Sequence, residues 1–166
     1  MRPGILLRKA IHVSALIFLV LPLLVSNFIL IIVGVVYTIS EILRLNGIKF
    51  PIVYELTMIC SYKKERKGFI KAPLLSIISF LLLINFFDSI PRIIGALLLT
   101  ISDTITGLIG MAIGKRKLFK EKTLEGFLAM FVSSFTIVFS ILYRPYLSVL
   151  VSLTVAIVEL LSEDLD

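Results

Sequence analysis

The sequence predicts an all-α, polytopic membrane protein with about six transmembrane helices, and three observations carry that prediction. Hydrophobic residues make up 58% of the 166 residues, and the mean hydropathy is +1.07. Charged residues make up only 17%, whereas a soluble domain is roughly a quarter charged. The apolar residues also occur in runs approaching the ~20 residues that a helix needs to cross a bilayer. A soluble fold of this size would leave much of that apolar surface in water.

Six apolar segments are predicted as helices of one membrane-embedded domain, 1–166. They cover residues 10–25, 28–44, 69–87, 91–113, 124–142 and 146–161. The second to fifth approach or reach spanning length, whereas the first and last are short and could be tilted or extended by their flanks. The first resembles a signal peptide but lacks a small-x-small cleavage pattern, so a retained helix is expected. Residues 50–62 give a weak signal for a short interfacial helix.

The basic residues predict the topology. All 17 except Arg92 and Arg144 lie before the first segment, around the loop between the second and third, or between the fourth and fifth. In a six-span arrangement these three regions share one side. The positive-inside rule makes that side cytoplasmic, together with both termini. We therefore expect a multi-pass protein of the cell membrane or an endomembrane.

The net charge of +6 is best explained by topology, anionic headgroups and phosphate-bearing ligands. No basic stretch interleaved with aromatic residues is present, so no nucleic-acid partner is expected. A homodimer stays open, because no residue argues for or against it.

Asp103 lies inside the fourth apolar segment, where a carboxylate costs ~2.5–3.5 kcal/mol on insertion scales. It needs a cation, a metal ion or a water-filled cavity, so a functional carboxylate is favoured over a simple hydrogen bond between helices. Thr100, Asp103, Gly107, Gly110 and Gly114 are spaced along one predicted helical stripe. For the glycines alone, a packing seam of small residues is the alternative.

A basic stretch follows these glycines and leads into the fifth segment. It contains Lys115, Arg116 and Lys117, and then Lys122-Thr123-Leu124-Glu125-Gly126. Glycine lets a phosphate approach the backbone, and lysines neutralise its charge. Thr123 is expected to cap the fifth helix, leaving backbone N–H groups for an anion. Asp103 and Glu125 could hold Mg²⁺ against the phosphates. An ordinary positive-inside loop is the alternative for the lysines.

Three further positions carry weaker signals. His12 is the only histidine, and packing is a commoner role than general base for a lone histidine near an interface. Glu41 and Arg44 are three residues apart and can pair on a helix. Glu159 is a second carboxylate in an apolar segment and could either join the site or lie near water. The sequence contains no Ser-His-Asp pattern, zinc-ligand spacing or Walker-type phosphate loop.

These residues resemble the polyprenol kinase family, the dolichol and phytol kinase group that also includes CTP-dependent diacylglycerol kinases. The resemblance covers nearly the whole chain. It is carried by Arg8-Lys9-Ala10-Ile11-His12, Glu41-Ile42-Leu43-Arg44, Lys67-Gly68, the glycine series from Asp103 to Lys115, Lys122-Thr123-Leu124-Glu125-Gly126 and Ala129, and the acidic Glu159 and Asp164. It implies transfer of phosphate from CTP, with Mg²⁺, to the hydroxyl of a membrane lipid alcohol such as dolichol, another polyprenol, phytol or geranylgeraniol.

The resemblance also implies residue roles. It places nucleotide and metal binding on Asp103, Gly107, Gly110, Lys115, Lys122, Thr123, Glu125 and Gly126. With Gly114 and Lys117 added from the residue pattern, these form the expected nucleotide site. Asp103 and Glu125 are the expected Mg²⁺ ligands, and the proton of the lipid hydroxyl is expected to pass to Asp103 or His12.

Two other functions remain as alternatives. CDP-diacylglycerol synthases share a similar glycine and Lys-Thr-x-Glu-Gly pattern, and they too can have a residue such as Ser102 before the aspartate, where many kinases have Gly. Their C-terminal His-Gly-Gly signature is absent here, however. A non-enzymatic membrane transporter or assembly subunit is the second alternative, and it would leave the basic stretch without a task.

Overall fold

The computed structural model describes residues 27–51, 53–61, 65–120 and 122–162. The first predicted segment, 10–25, and His12 lie outside this range. The helices divide into two compact units, with the boundary between Asp88 and Ser89.

Between residues 27 and 86, the described part of the first unit contains three α-helices and a short 3₁₀ turn. They are α1 (Asn27–Leu45), α2 (Val53–Cys60), the 3₁₀ turn (Glu65–Lys67) and α3 (Ala72–Phe86). Gly34 of α1 lies beside Ile77 of α3, where a Cβ would meet the Ile77 side chain at 3.4 Å, an ordinary contact. The predicted pair of Glu41 and Arg44 is confirmed, with nitrogen–oxygen distances of 2.7 and 3.0 Å. The Glu41 carboxylate is only 2% exposed and also accepts a hydrogen bond from the Ile70 backbone N–H.

The second unit is built from one long interrupted helix, a small hairpin and two further helices. Its elements are α4 (Ser89–Leu97), a π-helical turn (Leu98–Ser102), α5 (Asp103–Ile113), β1 (Lys117–Phe119), β2 (Lys122–Thr123), α6 (Leu124–Leu142) and α7 (Pro145–Leu161). The π turn forms because the Asp103 backbone N–H reaches back five residues to the Leu98 carbonyl. It joins α4 and α5 into one continuous rod, Ser89–Ile113.

The buried sides of α6 and α7 carry mostly small and polar residues, and many large apolar residues of the two helices are exposed. The buried side of α6 holds Gly126, Met130, Ser134 and Val138, and that of α7 holds Ser148, Ser152 and Ala156. Both sets recur every four residues, which is the ridge along which helices interdigitate. By contrast, Val132, Leu150 and Val158 are each about 60% exposed. This is the distribution expected for helices that pack in lipid, where close backbone approach replaces the hydrophobic effect.

Among the described residues, three helices are long and apolar enough to cross a membrane: Phe28–Leu45, Ser89–Ile113 and Leu124–Leu142. Ala72–Phe86 and Pro145–Leu161 are apolar but shorter. The described residues therefore form six helical rods, α1 to α3, α4 with α5, α6, and α7, and the chain is a multi-pass, all-α membrane protein. The predicted segments from 28 onward agree with five of these rods to within three residues at either end.

Candidate functional site

The basic stretch after α5 forms a β-hairpin that the sequence did not predict. Its strands are antiparallel, with Lys117 opposite Thr123 and Phe119 opposite Lys122. The turn passes through Lys120, whose φ of 48° lies in the left-handed region. The hairpin follows directly on α5 and runs directly into α6, so both of its ends are attached to long apolar helices.

Glu125 anchors this hairpin to the first turn of α6. Its Oε2 atom accepts hydrogen bonds from the backbone N–H groups of Lys115, at 3.2 Å, and Arg116, at 3.3 Å. The Leu124 N–H donates to the Arg116 carbonyl at 2.8 Å. The carboxylate therefore fixes the path of the backbone between α5 and β1.

The hairpin carries an exposed cluster of cations. Its members are Lys115, Arg116, Lys117 and Lys120. Lys120 also lies over the ring of Phe119, at 5.5 Å from its centroid. Because the backbone beneath these side chains is held by Glu125, their positive charges are concentrated at one place on the surface. Such a cluster is suited to a phosphate-bearing ligand.

Thr123 caps α6, as the sequence predicted. Its Oγ1 atom accepts a hydrogen bond from the Gly126 N–H at 3.2 Å. This bond satisfies one of the N–H groups that a helix leaves without an intrahelical partner. The cap joins the hairpin to α6, since Thr123 is also the last residue of β2.

Three of the predicted glycines are positions of close approach between α5 and α6. A Cβ on Gly114 would lie 2.2 Å from the Gly110 carbonyl oxygen and 2.7 Å from the Thr123 Oγ1. A Cβ on Gly126 would lie 3.2 Å from that same Oγ1 and 3.6 Å from the Gly110 Cα. Of the stripe glycines for which the sequence offered a packing seam as the alternative, Gly110 lies against Gly126 of α6 and Gly114 lies against Thr123. Gly107 is half-buried on α5.

The stripe of α5 that faces α6 differs from the predicted one. Thr106 Oγ1 lies 3.2 Å from the Met130 sulfur, one turn from the contact of Gly110 with Gly126. The contacting residues of α5, Thr106 and Gly110, are thus four positions apart. Asp103 lies beside this stripe and is half-buried.

Three buried hydroxyls of the second unit have no hydrogen-bond partner in the described part of the chain. Among the described residues, none forms a hydrogen bond with the buried hydroxyls of Ser102, Thr104 or Ser134. Ser102 and Ser134 are both fully buried. Thr104 is two residues from Ser102 and therefore projects from a different side of the helix.

Lys122 is paired with Glu159 rather than grouped with the exposed cations. Its Nζ lies 2.6 Å from the Glu159 Oε1, and both side chains are 19% exposed. The pair links β2 to the last turn of α7. Glu159, whose role the sequence left open, therefore neutralises a lysine that was predicted to contact phosphate.

The two predicted metal ligands lie at different levels of the helix pair. Gly110 of α5 lies against Gly126 of α6, and Asp103 precedes Gly110 by seven residues. Asp103 therefore lies ~10 Å along the α5 axis from the level of Gly126. The Glu125 carboxylate is directed toward Lys115 and Arg116, beyond the other end of α5. Mg²⁺ binds oxygens at ~2.1 Å, so these carboxylates do not fit as joint ligands of one ion. Within the described ranges, no group of three His, Cys, Asp or Glu side chains could hold a metal ion.

The structure thus groups most of the predicted site but not all of it. Lys115, Thr123, Glu125 and the glycines at 110, 114 and 126 come together at the base of the hairpin. Asp103 and Gly107 lie deeper along α5, and His12 is outside the described residues. The sequence predicted neither the register of the hairpin nor the pairing of Glu159 with Lys122. Its only related feature was the clustering of basic residues after α5.

Neither a family model, nor a curated protein, nor a solved structure matches this chain.

Proposed function

We propose that the protein is a kinase that transfers a phosphoryl group from CTP to the hydroxyl of a membrane lipid alcohol, such as dolichol, another polyprenol, phytol or geranylgeraniol. The products are the lipid monophosphate and CDP. The observation that carries the proposal is the exposed cation cluster, held by Glu125 at the end of an apolar helix that contains Asp103. Such an arrangement would allow a water-soluble phosphate donor to reach a substrate that lies in the lipid. We also propose six spans, with both termini and the hairpin in the cytoplasm.

In this proposal, the chain acts mainly by positioning and by charge neutralisation. Lys115 and Lys117 bind the phosphates, and Glu125 and Thr123 hold the backbone that presents them. Lys122 reaches a phosphate only if it leaves Glu159, so that exchange is part of the proposal. The tail of the lipid alcohol lies among the helices.

The lipid hydroxyl attacks the γ-phosphorus in line. The bond from this phosphorus to the bridging oxygen breaks, and CDP leaves with that electron pair. Asp103 or His12 accepts the hydroxyl proton. If Asp103 is the acceptor, the γ-phosphate lies well below the hairpin, because that carboxylate is several turns from Lys115 along α5.

Mg²⁺ is the predicted metal of this reaction, and when bound to the triphosphate it would neutralise charge that develops in the transition state. Since Asp103 and Glu125 do not fit as joint ligands, no step is assigned to a metal ion on that pair. The divalent requirement is tested by chelation in the same assay.

The direct test supplies purified protein in detergent with Mg²⁺, a panel of long-chain alcohols and CTP labelled with ³²P at the γ-phosphate. Label in the lipid phase is the expected result. Pyrophosphate release from lipid phosphates would instead favour a cytidylyltransferase, which attacks at the α-phosphate. Neither product with CTP or ATP would refute both enzymes and favour a transporter or an assembly subunit.

Two variants sharpen the assay. Lys115→Gln with Lys117→Gln should raise the KM for CTP, because two phosphate contacts are lost. Arg144→Gln, which removes a cation from the opposite end of α6, is the matched control and should leave the KM unchanged. Asp103→Asn should abolish turnover in a protein that still folds, and full activity would remove Asp103 from the mechanism.

A further inference from the structure

The hairpin exposes apolar side chains among its cations. Leu118 is 48% exposed and Phe119 is 40% exposed. Residues 115–120 contain four basic side chains and no acidic one. Both residues lie on strand β1, directly before the turn at Lys120, so apolar surface stands beside the cations.

The hairpin is held where bilayer headgroups lie. The rod Ser89–Ile113 has 25 residues, so it is ~38 Å long and exceeds the ~30 Å hydrocarbon core. A rod of this length that crosses the bilayer extends past the hydrocarbon core, so we expect the end that carries the hairpin to lie among the headgroups. The other end of the hairpin enters α6, a second helix of spanning length. With both ends tied to spans, and the backbone fixed by Glu125, residues 115–120 cannot move far from the membrane surface.

We infer that residues 115–120 form a lipid-docking hairpin that binds anionic phospholipid headgroups. The apolar side chains of Leu118 and Phe119 enter the boundary between headgroups and acyl chains. Arg116 and Lys120 bind the headgroup phosphates, because basic residues at this level are attracted to anionic leaflets. The mixture of basic and apolar or aromatic side chains is the one that interfacial elements use.

This inference goes beyond the proposed kinase activity, since it needs no nucleotide. Arg116 and Lys120 are exposed but have no part in the proposed phosphate contacts, which involve Lys115, Lys117 and Lys122. Lipid docking and phosphate transfer can therefore be tested with different residues.

The experiment uses a single introduced fluorophore, because the chain contains no tryptophan. Phe119→Trp keeps an aromatic ring beneath the Lys120 ammonium and is placed in nanodiscs of neutral lipid or of neutral lipid mixed with anionic phosphatidylglycerol. Full-length protein is used and no nucleotide is added. Quenching by lipids brominated on the acyl chain reports insertion, and quenching by aqueous acrylamide reports exposure to water.

We expect the indole introduced by Phe119→Trp to be quenched by brominated lipid and protected from acrylamide, and more so in the anionic discs. Removing two hairpin cations with Arg116→Gln and Lys120→Gln should lower the preference for anionic lipid by roughly an order of magnitude. Removing two others from the same predicted side, with Lys49→Gln and Lys67→Gln, should leave the preference intact.

Three outcomes would overturn the inference. Strong acrylamide quenching in both lipids would place the tip in water. Protection from acrylamide without quenching by brominated lipid would mean that protein, such as a second copy of the chain, covers the tip. Loss of the lipid preference on adding inorganic phosphate at constant ionic strength would show that the cations bind free phosphate instead. None of these results depends on whether the protein phosphorylates a lipid.

Discussion

Gly114→Ala is predicted to destabilise the second unit because the added methyl has no space. The backbone of Gly114, with φ of −62° and ψ of 116°, is one that alanine adopts readily, so the effect is purely steric. The new Cβ would lie 2.2 Å from the Gly110 carbonyl oxygen and 2.7 Å from the Thr123 Oγ1. The Thr123 side chain cannot move aside without losing its bond to the Gly126 N–H.

The magnitude follows from two contributions. Overpacking of a close contact typically costs about 1–3 kcal/mol, and loss of a threonine N-cap costs about 1 kcal/mol. We therefore expect Gly114→Ala to lower the free energy of unfolding by about 2–4 kcal/mol. Gly110→Ala is the matched control, because its Cβ would meet Thr123 Oγ1 at 3.5 Å and the Gly126 Cα at 3.8 Å, both ordinary contacts. Since alanine also favours the helix by ~1 kcal/mol, that variant should be neutral or slightly more stable.

The assay is reversible unfolding in mixed micelles, followed by circular dichroism, with CTP binding measured on the folded protein. Equal unfolding free energies for the two variants would refute the steric argument. A stable Gly110→Ala protein that has lost CTP binding would show that this glycine serves phosphate approach as well as packing.

Three further predictions concern the contacts around this seam. Thr123→Ala should cost about 1 kcal/mol of unfolding free energy through loss of the helix cap, and Thr123→Ser should restore most of it; equal stability of the two variants would count against the cap. Lys122→Met should destabilise the protein more than the double variant Lys122→Met with Glu159→Leu, because the single change leaves a partly buried carboxylate unpaired. A double-mutant cycle on the two residues should give a coupling free energy of about 1–3 kcal/mol. A coupling of zero would mean that the pair is not formed in solution. Ser134→Ala should leave the free energy of unfolding unchanged or raise it by up to about 1 kcal/mol, since it removes a buried hydroxyl that has no partner among the described residues. A clear loss of stability would reveal a partner such as bound water.

Parts of the candidate site could be predicted from local sequence. The Thr123 cap and the Glu41–Arg44 pair involve residues three apart, so helical geometry alone brings them together. The glycine series indicated close backbone approach, and Gly114 is such a position. The predicted stripe was displaced at its deeper end, because the face toward α6 includes Thr106 and leaves Asp103 beside it.

Other parts depended on which elements meet in space. Lys122 and Glu159 are 37 positions apart, and nothing in the sequence selects that pairing over a ligand phosphate. Glu125 was predicted as a metal ligand, yet its carboxylate binds the backbone of the residues that open the hairpin. Backbone N–H groups are present at every position, so a sequence gives no sign of which of them a carboxylate will reach.

The sequence by itself determined that the chain is a membrane protein, that it is helical, and where its apolar helices lie. Hydropathy and segment length depend only on residues that are neighbours in the chain. The tertiary structure decided which faces of those rods meet, which charges neutralise each other and which cations stay exposed on the hairpin. These choices follow from helix packing, in which the close approach at Gly110 and Gly126 fixes the register of α5 against α6. Packing of this kind joins residues that are distant in the chain, so no local pattern contains it.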